Sequence, residues 1–493
     1  ILVVTAVELT ADEIDMIDFH EYVIIDGQQR ITSIMLLLKA IQHYLDLSND
    51  DENKKLSEKI YEEYLTNKHA EFANKLRLKP MFEDERVYQL IMEDHLEFAD
   101  RKSNIYKNYN LFQTLINSNP LSPRKLLEGI KKLLIVYIGL KRGEDNAQLI
   151  FESLNSTGIN LTEADLIRNF VLMDKEPHVQ EFLFKNYWLK IEKLLTNEQI
   201  SDFIRDYLTM KLNEIPKKEQ VYNSFKKYVI DNWSKEKIKE LLDELLFYSK
   251  IYSKLLNDTE DSKDIREVLI NLRKLKVTVS YPFLMEVYCD FVKSDIDKNT
   301  FIKILKLVES YIFRRLMCER PTNALSKVFK NLSRDIKSYK DYKEKYYEYL
   351  TVILMQKRYN ASFPLDNEFK RDFLSREMYK FSNIKYLLER LENHNNDEKV
   401  NMDNLSIEHK WVIKLGRNAV SIHEKYLHNI GNLTLTAKNS ELSDKTFEEK
   451  KQIYIDSRLR LNKGFNNIEN WEENEIQKRA MELFNIANEI WST

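Results

Sequence analysis

The chain has few of the residues that interrupt secondary structure or cross-link it. Its 493 residues include 8 glycines, 8 prolines and 2 cysteines. A protein built from many short strands needs a tight turn after each strand, so this composition argues against that class and favours long helices. Two cysteines, Cys289 and Cys318, cannot form a disulfide framework or a multi-thiolate zinc site, and they fit a reducing cytosol. We therefore expect a cytoplasmic protein.

The chain also lacks long apolar runs and a strong excess of either charge. No run approaches the ~20 apolar residues that cross a bilayer, so we expect no membrane partner. The formal net charge is −3, so nucleic-acid binding would have to come from a local basic patch. Hydrophobic residues make up 43% of the chain, which is enough to bury cores and excludes global disorder. At ~150 residues per domain, the length predicts roughly three domains.

A turn motif near the N-terminus separates a strand pattern from a helix pattern. Tyr22–Ile25 is a β-branched and aromatic run, and Asp26-Gly27-Gln28-Gln29-Arg30 follows it before an apolar helix pattern. A glycine lets the backbone approach a ligand, a helix N-terminus offers free N–H groups, and Arg30 adds a forked donor that suits phosphate. The residues alone favour the alternative, an ordinary turn in which Asp26 caps the helix and Arg30 pairs with a carboxylate, because no P-loop or dinucleotide fingerprint is present.

A second polar segment follows a strand candidate at Leu133–Leu140. A helix is predicted from about residue 145 to 154, ahead of a polar break. Thr162 and Asp165 have the spacing of a capping box that opens the next helix. Either the polar loop, which contains Asn155, completes a pocket around the first motif together with Asp165, Arg168 and Asn169 on the next helix, or the segment is only a turn followed by a capped helix.

The middle of the chain is predicted to be helical. From about residue 176 to 370, segments rich in Leu, Ile, Lys and Glu are joined by short polar turns, without the fixed period of a solenoid. For the Lys- and Tyr-rich stretch Lys327–Tyr349, the solvated face of an amphipathic helix is favoured over a nucleic-acid surface.

A small strand–strand–helix unit is predicted near the C-terminus. Glu408 and His409 end a first strand, and Ile430–Thr436 supplies a turn and a second strand ahead of a helix. In a ββα metal-dependent nuclease, a histidine at the end of the first strand acts as general base on water, and one cation, usually Mg²⁺, stabilises the scissile phosphate. An adjacent carboxylate and an Asn carbonyl supply the oxygen ligands that a hard cation needs. His423 and His428 lie between these motifs, but without thiols they do not make a zinc set.

Together these motifs resemble the GmrSD-type modification-dependent restriction enzymes, in which a ParB-like DGQQR domain joins a C-terminal HNH (His-Me finger) nuclease. Ile25–Ser33 is similar to the DGQQR signature of that family, and Phe151–Asn169 is similar to its second signature. Glu309–Lys327 resembles its helical joint. The nuclease part of the resemblance rests on Phe363-Pro364-Leu365, Ile407–His409, Ile430–Thr436, Trp471, Ile476 and Arg479.

The resemblance implies roles for the candidate site residues. It assigns nucleotide binding to the first two motifs, at Asp26, Gly27, Gln28, Gln29, Arg30, Asn155 and Asp165. It makes two residues catalytic, His409 and Asn432, and it assigns metal ligation to Glu408, Asn439 and Asp444. The implied cofactors are Mg²⁺ or another divalent cation and a nucleoside triphosphate. The implied partners are the nucleotide and double-stranded DNA, modified or unmodified, and assembly into a homo-oligomer stays open.

The predicted fold class is mixed and predominantly α. We expect an α/β ParB-like nucleotide-binding domain at residues 1–175, a helical middle at 176–370, and a ββα-metal (HNH) nuclease domain at 371–493. The predicted function is defence against foreign DNA: the N-domain binds and hydrolyses a nucleoside triphosphate, senses modified DNA, and licenses a metal-dependent nick or cut. The alternative is a non-catalytic nucleotide- or DNA-binding sensor subunit with a decayed nuclease, and a toxin-like RNA nuclease would share the same chemistry.

Two departures from the family pattern bear on this hypothesis. The chain opens at Ile1 inside a strand pattern, so we expect the N-terminal domain to be incomplete. Relatives continue the histidine as Ile-x-Pro-Gln and a loop, whereas Lys410 and Trp411 follow His409 directly, so we expect residues to be omitted there. A true loss of that loop would favour the sensor alternative.

Overall fold

A computed structural model describes most of the chain. The described residues are 2–8, 22–67, 75–80, 83–118, 122–140, 150, 161–173, 175–396, 399–400, 404–409, 425–442, 445–464 and 468–493. The predicted helix at 145–154 and the polar break after it lie outside these residues, except for residue 150. As predicted, the fold is predominantly α-helical with small sheets. Within the described ranges, no helix combines the length and the apolar character that a membrane span needs.

The chain divides into two compact units, Ile1–Lys190 and Ile191–Thr493. The strands are β1 Leu2–Glu8, β2 Tyr22–Asp26, β3 Ile135–Leu140, β4 Ser406–His409 and β5 Leu433–Thr436. The first unit contains α1 Gln28–Asp46, α2 Asp51–Ile60, α3 Glu83–Met92, α4 Asn104–Ser118, α5 Pro123–Lys131, α6 Glu163–Leu172 and α7 Pro177–Leu183, and α8 Leu189–Leu194 crosses the division. The second unit contains α9 Asn197–Leu212, α10 Val221–Asn232, α11 Ile238–Leu256, α12 Lys263–Lys274, α13 Tyr281–Val292, α14 Lys298–Met317, α15 Asn323–Lys337, α16 Tyr346–Met355, α17 Asp366–Ser375, α18 Ile384–Asn393, α19 Asn439–Leu442, α20 Phe447–Ile455 and α21 Glu473–Ile490.

The first unit combines a three-stranded sheet with a helical core. The strand order is β2-β1-β3, with β1 antiparallel to β2 and parallel to β3. Thr5 on β1 lies opposite Asp26 on β2, where the turn motif begins. Helix α1 packs against α2 and α4 through apolar residues at helical spacing, of which Leu36 and Ile41 are fully buried. Each such side chain stabilises the fold by about 1.5–3 kcal/mol relative to exposure, so the core fixes α1 and the turn at its start.

The second unit is organised around α14, which is buried along most of its length. Arg314 on α14 is fully buried, and its Nε donates to the carbonyl of Trp491 at 2.6 Å. Its Nη1 binds Asp366 Oδ1 on α17 at 2.7 Å. The Trp491 ring stacks on Phe313 with centroids 3.9 Å apart. The end of the last helix, α21, is therefore anchored to the helical part of this unit.

The strand–strand–helix unit forms where the sequence predicts it. β4 and β5 are antiparallel, with Glu408 opposite Thr434 and His409 opposite Leu433. Helix α20 follows, and Thr446 and Glu449 at its start form a capping box. The predicted division between residues 370 and 371 falls inside α17.

Candidate functional site

The DGQQR turn joins β2 to α1. Gly27 has φ 93° and ψ 4°, a left-handed conformation that favours glycine, and α1 begins at the next residue. No side chain caps the helix at Gly27, and the first turn contains no acidic residue. The helix therefore starts with N–H groups that its own first turn does not satisfy, which is the arrangement that binds anions.

The polar side chains of this turn make local contacts. Arg30 Nη2 donates to Asp26 Oδ2 at 2.8 Å, and Gln28 Nε2 donates to the carbonyl of Ile24 at 2.6 Å. Gln29 is exposed. The ordinary-turn alternative predicts the pairing of Arg30 with a carboxylate, and that pairing is present, but Asp26 does not cap the helix. An exposed pair of this kind contributes only about 0–1 kcal/mol, so Arg30 can exchange Asp26 for a phosphate.

Of the other two nucleotide-site candidates, the structure describes Asp165 alone, and the side-chain bonds given for it are local. Asp165 belongs to the predicted capping box: its N–H binds Thr162 Oγ1, and its Oδ2 accepts from Thr162. Arg168 pairs with Asp165 at 3.2 Å. Asn155 lies outside the described residues.

Glu408 and His409 lie next to each other on β4 but face different partners, because successive side chains of a strand point to opposite faces. Lys450 on α20 is fully buried and donates to Glu408 Oε1 at 2.6 Å. The same Lys450 ammonium donates to the backbone carbonyl of His409 at 2.9 Å. Burial and the Glu408 charge raise the pKa of Tyr454, whose ring lies in the same interior. Glu408 is thus held as an internal ion-pair partner.

His409 faces a second histidine on the other side of the strand. Its Nε2 lies 3.0 Å from His428 Nδ1, which is hydrogen-bond distance. Glu377 Oε1 lies 3.7 Å from the other nitrogen of His428, Nε2. The Tyr379 ring covers both imidazoles, with centroid distances of 4.8 Å to His409 and 5.3 Å to His428. All four side chains are half-buried or exposed.

Backbone and amide contacts fix the segment that carries His428. The carbonyl of His428 accepts a hydrogen bond from the N–H of Met378 at 2.9 Å. The neighbouring Asn429 donates from Nδ2 to the carbonyl of Leu374 at 2.6 Å. These bonds hold residues 428–429 against the segment that contains Glu377 and Tyr379.

Asn432 supports the same segment from inside. It is fully buried, and its Nδ2 donates to the carbonyl of Leu427 at 2.9 Å while its Oδ1 accepts from Trp471 Nε1 at 3.1 Å. The side chain closes the 427–432 turn and does not reach the surface. Asn439 starts α19, but its side chain lies outside the described part of the structure, as does Asp444.

The residues that carry the C-terminal resemblance converge on this turn. Arg479 on α21 is buried, and its Nη1 donates to the carbonyls of Gly431 at 2.6 Å and Leu433 at 2.9 Å. Burial lowers the pKa of Arg479 to about 10, which still leaves it charged at neutral pH. Gly431 packs directly on α21, because a Cβ built there would lie 2.1 Å from the Ile476 carbonyl oxygen. Arg479, Ile476 and Trp471 therefore have structural roles around the second strand.

Replacing Gly431 with alanine should destabilise the second unit by about 1–3 kcal/mol or more, because backbone must move to admit the methyl group. The matched control is Gly129→Ala in α5, where nothing lies within 4 Å of the added Cβ and alanine is the better helix former. Urea unfolding followed by circular dichroism measures both. Equal stabilities of the two variants would contradict the close approach of α21.

Two described oxygen-bearing side chains of the predicted nuclease site, Glu408 and Asn432, are engaged by protein groups. The Glu408 carboxylate binds Lys450, and Asn432 Oδ1 binds Trp471. The described group whose ligand atoms do lie close together is elsewhere, at Cys318, Glu368 and Asp372. There, Arg320 pairs with Glu368 and Arg371 with Asp372, and burial raises the pKa of the Cys318 thiol.

Three functional candidates were missed by the sequence reasoning. In the sequence, His428 stands out only as a candidate zinc ligand, and nothing there singles out Glu377 or Lys450 as its partner or as the partner of Glu408. Lys450 follows Glu408 by 42 residues, so only the packing of α20 on β4 shows the pair. His428 directly precedes the Asn-Ile-Gly-Asn turn, and that position was the available signal.

Comparison with known families gives two matches. The model of the GmrSD restriction endonuclease N-terminal domain matches residues 4–172, which include most of β1, the DGQQR turn and α6. The model of the GmrSD restriction endonuclease C-terminal domain matches residues 363–486, which include Glu377, β4, His428 and β5. A comparison with curated proteins gave no match.

Proposed function

Because the chain belongs to the GmrSD-type restriction endonucleases, we propose that it nicks or cuts foreign DNA with His409 as general base. Membership in this family makes restriction, and DNA as the substrate, the coarse function. One observation carries the finer proposal: His409 ends β4 with a half-buried ring bonded to His428 at 3.0 Å. A histidine held in this way can take a proton from an attacking water and stay oriented afterwards.

A divalent cation is part of the proposal, as in nucleases of this fold generally. Mg²⁺ would stabilise the charge on the scissile phosphate when bound. Because Glu408 and Asn432 are engaged by protein groups, a cation would need other ligands or a rearrangement of these two. Nicking of supercoiled plasmid in MgCl₂ and in excess EDTA tests the requirement, and equal rates in the two would remove the metal from the proposal.

The first unit is proposed to bind and hydrolyse a nucleoside triphosphate at the DGQQR turn. The support is the uncapped start of α1 behind Gly27, with Arg30 beside it. On the neighbouring strand, Thr5 lies opposite Asp26, is fully buried, and has a hydroxyl with no hydrogen-bond partner among the described residues. A buried hydroxyl without a partner is a group that a ligand or water would satisfy.

Replacing Arg30 with alanine should weaken nucleotide binding about 10–100-fold, because hydrogen bonds to charged groups contribute about 1.5–3 kcal/mol. The matched control is Arg124→Ala, which removes another exposed arginine of the same unit, paired with Glu52 at 3.0 Å. Isothermal titration with a non-hydrolysable nucleoside triphosphate measures both. Unchanged affinity in Arg30→Ala leaves only the ordinary-turn interpretation.

We further propose that nucleotide and modified DNA control the nuclease. Within the second unit, Ser310 and Arg314 on α14 both bind the carbonyl of Trp491, and Arg479 on the same last helix holds the turn before β5. A shift of the helical part can therefore move the segment that carries His428. Any such coupling is reciprocal and commonly amounts to ~1–3 kcal/mol.

Two alternatives remain for experiment to separate. A sensor subunit with a decayed nuclease would bind nucleotide or DNA but nick neither plasmid nor modified phage DNA in any divalent cation. A toxin-like RNA nuclease would cut single-stranded RNA in preference to DNA. The departure after His409 that motivates the first alternative lies at residues 410–411, outside the described residues. The same assay with plasmid, modified phage DNA and RNA distinguishes all three.

A further inference from the structure

The contact between His409 and His428 depends on which ring nitrogens carry protons. Two imidazole nitrogens 3.0 Å apart share one hydrogen bond, so one ring must donate N–H and the other must accept. Which ring donates decides whether Nδ1 of His409 is a base. A general base needs a lone pair at the nitrogen that faces the water.

Glu377 favours one of the two tautomers of His428. Its Oε1 faces Nε2 of His428 at 3.7 Å, within the range of an ion pair though beyond a direct hydrogen bond. A carboxylate beside Nε2 favours the tautomer that carries its proton there, so His428 Nδ1 becomes the acceptor. His409 must then donate its Nε2–H to His428, and its own proton-accepting nitrogen is Nδ1. The same logic fixes a catalytic histidine through a carboxylate in other enzymes.

We propose that His428 is a positioning residue that fixes the tautomer of His409, with Glu377 orienting His428. The inference rests on the proposed nuclease function and deepens it. In the step, an O–H bond of water breaks as its oxygen bonds to phosphorus, and the proton goes to Nδ1 of His409. The P–O bond to the leaving oxygen breaks, and that oxygen takes a proton from solvent. The resulting imidazolium keeps its Nε2–H bond to His428, one ring away from the Glu377 charge.

The surroundings hold this arrangement in place. Met378 and Asn429 fix the backbone of the His428 segment, and Tyr379 covers both rings, which limits their rotation. Glu377 is also held, because Lys380 Nζ pairs with its other oxygen at 3.0 Å. The rings are therefore positioned before substrate binds, as a preorganised site requires.

The test compares two replacements of similar size at one position in the full-length chain. His428→Asn keeps an acceptor oxygen near the place of Nδ1, whereas His428→Leu removes it. With supercoiled plasmid and MgCl₂, we expect His428→Leu to lower kcat about 10²-fold with little change in KM. His428→Asn should recover most of the rate, and Glu377→Gln should lower it less than His428→Leu does. The control is His394→Ala, which removes a histidine paired with Glu489 at 3.1 Å outside the site.

A second readout is independent of activity. In the full-length chain labelled with ¹⁵N-histidine, the ring signals lost in His409→Ala belong to His409 and report which nitrogen carries the proton. We expect a protonated Nε2 in the unaltered chain and in His428→Asn, and a tautomer mixture in His428→Leu. Wild-type nicking by His428→Leu, equal losses in His428→Asn and His428→Leu, or a protonated Nδ1 would each overturn the inference. Wild-type nicking by His409→Ala would instead overturn the proposed function.

Discussion

Replacing His409 with alanine is expected to reduce DNA nicking about 10²–10⁴-fold, the usual loss when a general base is removed. The residue ends β4 with its ring half-buried beside His428, so a methyl group in its place leaves the water without a proton acceptor. The fold should be retained, because the strand contacts of His409 are backbone bonds and the adjacent Glu408 keeps its bond to Lys450. Any nucleotide hydrolysis by the first unit should also persist.

The measurement is the conversion of supercoiled plasmid to open circle, followed over time at several enzyme concentrations. His394→Ala is the matched control, since it removes another histidine of the second unit that pairs with a carboxylate. It should nick like the unaltered chain. If His409→Ala nicks at that rate too, His409 has no part in the chemistry, whatever the family resemblance implies.

Replacing Lys450 with methionine is expected to destabilise the second unit by about 3–5 kcal/mol, the usual loss when one partner of a buried ion pair is removed. Lys450 is fully buried and Glu408 is only 10% exposed, so the variant leaves a carboxylate inside the protein without its cation. The backbone carbonyl of His409 loses its donor as well. Urea unfolding followed by tryptophan fluorescence measures the change.

A surface pair of the same chemistry provides the control. Lys438 lies 3.6 Å from Glu441, and both side chains are about half exposed, so Lys438→Met should change stability by less than about 1 kcal/mol. Combining Lys450→Met with Glu408→Met should recover much of the loss, because an apolar pair can replace a buried ion pair. Equal effects of Lys450→Met and Lys438→Met would mean that the Glu408–Lys450 pair does not hold β4 to α20.

The elements that the sequence predicted are those with a local signal. The glycine between a strand pattern and a helix pattern gave the β2–α1 turn, and Gly27 indeed adopts the left-handed conformation. The Thr162–Asp165 spacing gave the capping box of α6. In both cases neighbouring residues in the chain decide the structure, so periodicity and capping rules suffice.

The contact partners of the candidate site residues could not be predicted from the sequence in the same way. Lys450 comes 42 residues after Glu408, and His428 comes 19 residues after His409. Nothing local marks Lys450 as buried beside a carboxylate, because most lysines are solvated, and the turn after His428 does not show which side chain that histidine meets. The two side chains of the Glu-His pair also separate across the strand, which follows from strand geometry once the strand is known.

Control of the proposed nuclease by a nucleotide can be tested on the full-length chain in one assay. The full-length chain is incubated with supercoiled plasmid or modified phage DNA in MgCl₂, with and without a nucleoside triphosphate, and the nicking rate is recorded. We predict nicking that depends on His409 and a rate that changes when the nucleotide is added. No nicking of any DNA under any of these conditions, or an identical rate with and without nucleotide, would contradict this prediction.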